Sequence, residues 1–502
     1  MTAPRRTTIA IGTGVFVLAI GYGLCARPHA PASGTAPRDQ PAHAPQRPPA
    51  VGRPVLRSGC EASACHGSAA TRALADEPGP TTWMSSASLW HARDPHTRAT
   101  EALASPLARQ IMEQLRVEQP ERWAADALDE ARCLACHTNP ALALHANRPG
   151  RERLRTEGVS CESCHGNASD WLFEHTNWTA ADRPARYDEF GMARLFDVGE
   201  RAAVCAGCHV GAPADPARGY PLRDMNHDLI AAGHPRLNFE FADYQRRLPP
   251  HWFEKDRTRD PCVPREPEFE AKAWIVGRVA SAEAACRLLA DRAARAERDG
   301  ADWPELSESK CFACHRELLP REWRPSSRTR TSTWQTVWPL TRPEHRAALP
   351  AARAGEVAAE LAALETVLAR REPRPTETAR HAARAAAALR GLRSELAGAP
   401  DRTAAETAFG LLARVNADSL DWDESCQVMQ GLASLEWMRL RRAPSDQRTA
   451  NPLFAGMYSG LALPRPEGRD HFDSPRRFDS KVTRANLNRL LASIRQTCVV
   501  PE

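Results

Sequence analysis

The sequence predicts a mainly α protein with much coil, and three features of its 502 residues predict it. Residues 350–398 are rich in Ala, Leu, Arg and Glu, with apolar positions at helical spacing. The stretch from Cys60 to His315 has long loops of Gly, Pro, Asn and Asp and little strand signal. Five cysteine pairs, each followed directly by a histidine, punctuate that stretch.

The N-terminus reads Arg5-Arg6, then an uncharged stretch from Thr7 to Ala26, then Arg27. Residues 1–27 therefore read as a signal peptide or an N-terminal membrane anchor, with residues 7–26 as the membrane-associating part. Either one puts the body of the chain outside the cytoplasm. Cys25 follows Tyr22-Gly23-Leu24, a poor lipidation signal. Residues 28–54 are dense in Pro, Ala and Arg, without periodicity, and read as an extended linker.

Within the cysteine-rich segment, short helices are expected at 94–116 and 120–133, and a longer one at roughly 267–298. Residues 317–345, with several Trp, Pro and Ser, read as a connector. Beyond it, Val357, Leu361, Leu364 and Val367 share one helical face, and Leu389, Leu392 and Leu396 share another. Further helices are expected at 403–416, 424–441 and 483–496. The expected organisation is a motif-bearing domain over 55–335 and a C-terminal helical region over 345–502.

A mean hydropathy of -0.50 describes a soluble body, and a net charge of +5 is too mild to argue for nucleic acid. Only 4 of the 67 basic residues are lysine. Arginine forks pair with carboxylates, whether of the protein or of a cofactor.

Four segments have the form Cys-x-x-Cys-His: Cys133, Cys136, His137; Cys161, Cys164, His165; Cys205, Cys208, His209; and Cys311, Cys314, His315. This is the pattern of c-type haem attachment. Two thiols three residues apart on one helical turn reach the two vinyl groups of one haem. The adjacent histidine then faces the iron from the same side. Chance would give roughly 0.02 such motifs in a chain of this length. Zinc would need two pairs close together and no histidine after each second cysteine. A fifth segment, Cys60 to Cys65 followed by His66 and Gly67, has four residues between its thiols. It reads as a fifth attachment site, with Gly67 giving the loop room beside a porphyrin face; the alternative is a Cys60–Cys65 disulfide. The expected cofactor is thus five covalent haems c, each with its iron. Cys262, Cys286, Cys426 and Cys498 remain, enough for two disulfides in any of three pairings.

Each iron needs a second axial ligand or keeps an open position. Asp94 and Pro95 start a helix at His96, where the dipole favours a neutral imidazole. His227 and His234 stand seven residues apart and can serve two haems. His175 lies ten residues after His165, and His145 eight after His137. His91 and His251 read as polar surface groups.

Gly158-Val159-Ser160-Cys161-Glu162-Ser163-Cys164-His165-Gly166 resembles the cytochrome c-554 family of multihaem cytochromes. So do Asp94-Pro95-His96, the segment from Arg201 to Gly211, and the stretch from Met225 to Phe239; the wider group includes the hydroxylamine oxidoreductase-like cytochromes. The resemblance spans about residues 55 to 325 and continues faintly to His471-Phe472-Asp473. It implies a multihaem cytochrome c fold of helix and coil, followed here by the C-terminal helical region. It also implies haems packed in close pairs, bis-histidine ligation at most irons, with His96, His175, His227 and His234 as distal ligands, and periplasmic electron transfer. One departure is Arg316, where related chains carry a second histidine after the last motif; it leaves the sixth ligand of that haem open.

Three functions fit. The first is an electron wire between redox donor and acceptor proteins. The second is a redox enzyme acting on a small nitrogen or sulfur compound at one open haem. The third is a haem-stabilised scaffold whose helical region binds a partner complex. Five proximal histidines matched by about five distal candidates favour the wire.

Overall fold

Side-chain capture of backbone amides, more than helical periodicity, shapes the first half of the chain. A computed structural model describes residues 53–69, 82–143, 154–179, 181–237, 239–249, 251, 266–309, 315, 347–370, 372–443, 447–461 and 478–497. Among the described residues there is no strand; two isolated bridges, Ala212–Arg223 and Asp215–Tyr220, are the extended pairings. The structure is mainly helical with much coil.

The cysteine-rich half builds α1 (Ser86–Arg93), α2 (Pro106–Glu118), α3 (Ala131–His137), α4 (Cys161–His165), α5 (Val198–His209), α6 (His227–Ala231) and α7 (Phe241–Arg247). The helix expected over 94–116 is instead two 3-10 turns, Pro95–Arg98 and Glu101–Ala104, followed by α2. Pro106 forces Ser105 into extended backbone, and the Ser105 hydroxyl then accepts from the Ala108 amide to cap a new helix. The helix expected over 120–133 begins only at Ala131. Asp126 takes the Leu128 amide, and Glu130 takes those of Ala124 and Arg132. Those amides are lost to a continuing helix.

The second half is organised by α8 (Phe269–Asp299), close to its expected bounds and buried along most of its length. Around it pack α10 (Pro375–Gly398), α11 (Asp401–Ala413), α12 (Trp422–Arg442), α5 and α7, with α9 (Ala351–Leu368) lying on α10. Then α13 (Leu453–Leu461), which the sequence pattern did not suggest, packs on α14 (Ser480–Thr497). The expected faces are the buried ones: Val357, Leu361, Leu364 and Val367 on α9, and Leu389, Leu392 and Leu396 on α10. A Cβ on Gly431 would lie 2.7 Å from the Trp274 ring, so glycine lets α12 close onto α8. Lys272, buried in α8, donates to the Ala399 carbonyl and to Asp401 at the α10–α11 junction. Val198 and Ala202 of α5 belong to the same hydrophobic core as α8 to α12 and α14.

Cys286 is a free thiol, fully buried in α8. Every two-disulfide pairing among the four remaining cysteines needs it, so that framework is not formed. Cys262 and Cys498 lie outside the described residues.

Glu240 caps α7, accepting from the amides of Ala242 and Asp243, and is almost fully buried. Burial pushes its carboxyl from about 4.5 up to about 7, against the pull of those amides and of Arg246. The folded chain thus holds a proton here that the unfolded chain releases above about pH 4.5. The stability this proton supplies is full below that pH and is lost as pH rises through 7. In Glu240→Gln one of the two capping oxygens remains, and the titration goes; the lost cap lowers stability at every pH and leaves the pH dependence as the readout. Denaturant midpoints should show the variant gaining on the parent from pH 5 to pH 8. An unchanged difference between the two pH values would show that Glu240 does not titrate in this range.

Candidate metal centres

Each described Cys-x-x-Cys-His motif lies at the C-terminal end of a helix, with its histidine as the last residue: His137 on α3, His165 on α4, His209 on α5. One helical turn separates the two thiols of each pair, which puts them on one side of the helix. The longer motif folds as a turn in which the Cys65 amide donates to Ala62 and the His66 amide to Cys60. The turn itself also requires Gly67. A Cβ there would lie 2.0 Å from the Glu61 carbonyl oxygen, so the turn's own backbone fills that space. Cys311 and Cys314 lie outside the described residues, and His315 within them.

The motif histidines are faced by other histidines. The rings of His66 and His175 lie 6.2 Å apart between centroids, those of His209 and His96 6.1 Å, those of His137 and His234 6.3 Å, and those of His315 and His227 6.3 Å. Two rings coordinating one metal from opposite sides, at about 2 Å each and with a ring radius of about 1.2 Å, would have centroids roughly 6.3 Å apart. The interplanar angles are 14° and 15° for the first and last pairs and 72° and 78° for the others.

The second ring nitrogen is tied down in most of these residues. Nδ1 of His66 faces the Trp83 carbonyl, that of His137 the Ala99 carbonyl, that of His175 the Trp171 carbonyl, and that of His234 the Pro235 carbonyl, at 2.8 to 3.1 Å. A carbonyl only accepts, so Nδ1 donates and Nε2 keeps its lone pair for a metal. For His96 the acceptor is Asp94, 2.9 Å away. Burial pulls the His96 pKa down and the Asp94 carboxylate more than offsets it, so the ring sits above its ordinary value. The expectation of a helix dipole holding it neutral therefore gives way to a carboxylate that fixes the tautomer. Burial pushes His165 down to about 3 and His209 down to about 4, which keeps both rings unprotonated.

Other elements hold these rings in place. Arg292 of α8 pairs with Asp224 and Glu308, and the His227 amide donates to Glu305 at 2.9 Å, which fixes the loop that carries His227. His209 is packed between Phe239 and Tyr244. The motifs also touch one another. Cys60 lies beside Cys161, and Cys136 beside Cys208, so the first motif neighbours the third and the second neighbours the fourth.

Among the described residues no group of three or more His, Cys, Asp or Glu side chains could hold a bare metal ion. Two facing imidazoles suit a metal that brings its own equatorial donors, as haem iron does. Buried donors without a partner beside the motifs fit the same group: Asn139 Nδ2, Ser163 Oγ, Trp171 Nε1 and Arg223 Nε. They are suited to carboxylates such as haem propionates.

His145 lies outside the described residues. His91 is exposed, as expected, and stacks on Trp90. His251 is not the surface group that was expected: it is partly buried and sits within electrostatic reach of His165 and His66. Nothing in its local sequence signals this, because α7 and the turn after it bring it there.

Residues 82–166 match the family model described as cytochrome c554 and c-prime. The match holds His96 and the second and third motifs, and is narrower than the span of the resemblance. No curated protein and no solved structure matches the chain. The chain therefore carries a cytochrome c554-like segment, with covalent haem c and its iron as cofactor and c-type electron transfer as its class of role.

Proposed function

We propose, from a cytochrome c554-like segment as premise, that the chain is a periplasmic cytochrome passing electrons through five covalently held haems. The observation that carries this reading is the set of four histidine pairs at 6.1 to 6.3 Å. Haem c held there supplies one-electron chemistry between ferric and ferrous iron. The thiols of Cys60, Cys65, Cys133, Cys136, Cys161, Cys164, Cys205, Cys208, Cys311 and Cys314 are its attachment points. His175, His234, His96 and His227 are the distal partners of His66, His137, His209 and His315. Two tied imidazoles on one metal resist rearrangement when its charge changes, which suits fast transfer. The pairing of His227 with His315 also weakens the case for an open iron at the last motif, and with it the enzyme reading. The thiol contacts between motifs support short steps along the chain. At the first motif, Cys65 is exposed and Trp83 is half exposed beside His66, which makes this edge the favoured port for a redox donor or acceptor protein.

Export rests on residues 1–27, which lie outside the described residues; among those described, no helix is long and apolar enough to cross a membrane. Denatured, purified protein should carry five covalent haems by mass and by haemochrome absorbance, and the native ferric protein should be low-spin at the four paired irons. Four haems with Cys60 and Cys65 disulfide-bonded would remove the first site. A dominant high-spin signal with turnover of a small nitrogen or sulfur compound would replace the wire by an enzyme.

A further inference from the structure

Ring orientation divides the four histidine pairs into two kinds. The rings of His66 and His175 are nearly parallel, at 14°, and so are those of His315 and His227, at 15°. Those of His209 and His96 cross at 72°, and those of His137 and His234 at 78°. The crossing at His209 is fixed from both sides. Phe239 stacks on the His209 ring at 15° and Tyr244 meets it edge-on, while Asp94 ties the His96 ring through Nδ1. At the second motif the Ala99 and Pro235 carbonyls hold the rings of His137 and His234.

An axial imidazole donates π density to the iron d orbital whose lobes lie across its plane. Two parallel rings raise the same orbital, and the single hole of ferric iron settles there, which stabilises the ferric form. Crossed rings raise two orbitals alike, and the ferric form loses that stabilisation. Two further features act in the same direction at the crossed pairs. Cys133 packs against a hydrophobic cluster with Leu134, Ala135 and Leu229, and Cys205 against the core built on α8, whereas Cys65 and His315 are exposed. Water stabilises the additional positive charge of ferric iron, so an enclosed site favours the ferrous form. Arg223 adds charge of the same sign. Its Nη1 lies 3.8 Å from Cys208 Sγ, and Cys208 lies beside Cys136, so the guanidinium serves both crossed sites.

We propose that the second and fourth motifs, through their crossed rings and Arg223, form an electron store that is reduced before the parallel-ringed sites of the first and last motifs. This rests on the multihaem reading above and deepens it. Each electron from a redox donor protein turns one ferric iron ferrous and comes to rest at these two neighbouring inner sites. Two electrons are thus held side by side, and they leave through an exposed site. Asp94 and Phe239 are positioning residues: they act on the iron through the angle between the rings of His96 and His209.

The test is electron paramagnetic resonance of the full-length holoprotein during stepwise reduction with dithionite. Low-spin ferric iron between parallel rings gives a three-line rhombic spectrum, and between crossed rings one broad signal at high g. Both kinds should be present in the oxidised protein. The broad signals should disappear first, with rhombic signals outlasting them. Arg223→Gln should leave every signal in shape and lower the potential of the irons with broad signals. A guanidinium that only packs would shift no potential, and an unchanged titration in this variant removes Arg223 from the store. Asp94→Ala should keep five covalent haems, all as low-spin as in the parent, and move one broad signal towards the rhombic form. Five haems without any broad signal, or broad signals that outlast the rhombic ones, overturn the proposal and leave the wire reading intact. Fewer than five haems in the parent overturns the underlying reading instead. If neither variant accumulates, the order of loss in the parent decides.

Discussion

Replacing His96 by alanine should leave every haem attached and turn one low-spin iron high-spin. Attachment uses only the cysteines and histidine of each motif, so the haem count is unaffected. The altered iron is the one held by His209, whose ring lies 6.1 Å from that of His96. Asp94 makes His96 a strong ligand in two ways. Its carboxylate accepts from the His96 amide and from Nδ1, fixing both the turn and the tautomer. It also makes the imidazole more basic and so a better donor through Nε2. Loss of that ligand should open a site for carbon monoxide or cyanide on about one haem in five, and should slow electron passage, because the iron now changes coordination on reduction. An unchanged spin state with no new ligand binding would reduce His96 to a residue that starts a turn.

Arg393→Ala should destabilise the fold by about 3 kcal/mol. Arg393 of α10 is almost fully buried and donates to Glu283 of α8 at 2.8 Å and to Glu200 of α5 at 2.9 Å. Removing the guanidinium leaves the buried Glu283 with Arg390, which is more than half exposed and a weaker partner. The cost is that of a buried charge losing its main partner, which far exceeds the worth of a surface pair. Denaturant unfolding followed by far-ultraviolet dichroism would measure it. Adding Glu283→Gln should recover part of the loss; a double variant no more stable than the single one would point to lost packing around the Arg393 stem instead.

The helical half was legible because its apolar residues repeat with the period of a helix that buries one face. Val357, Leu361, Leu364 and Val367 show this without help from the rest of the chain. The segment near 120–130 was not legible, since Asp126 and Glu130 draw backbone amides to their side chains, a local competition that composition does not reveal. The motif cysteines and histidines were legible because their spacing is itself the chemistry. His96 could be found from its cap. The neighbourhood of His251 could not, because it depends on how α7 docks on α8 and carries no local mark.

Residues Val198 and Ala202, on the helix that ends in the fourth motif, are packed in the same core as the C-terminal helices. In evolutionary terms, this makes the helical half a poor candidate for a module that can be swapped or lost. A recombinant inheriting the motifs without α10 would expose the apolar side of α5 and strand Glu283 without its arginines. Drift on one side of this seam has to be answered on the other, so the lineage of the haem segment and that of the helices behind it are bound to descend together.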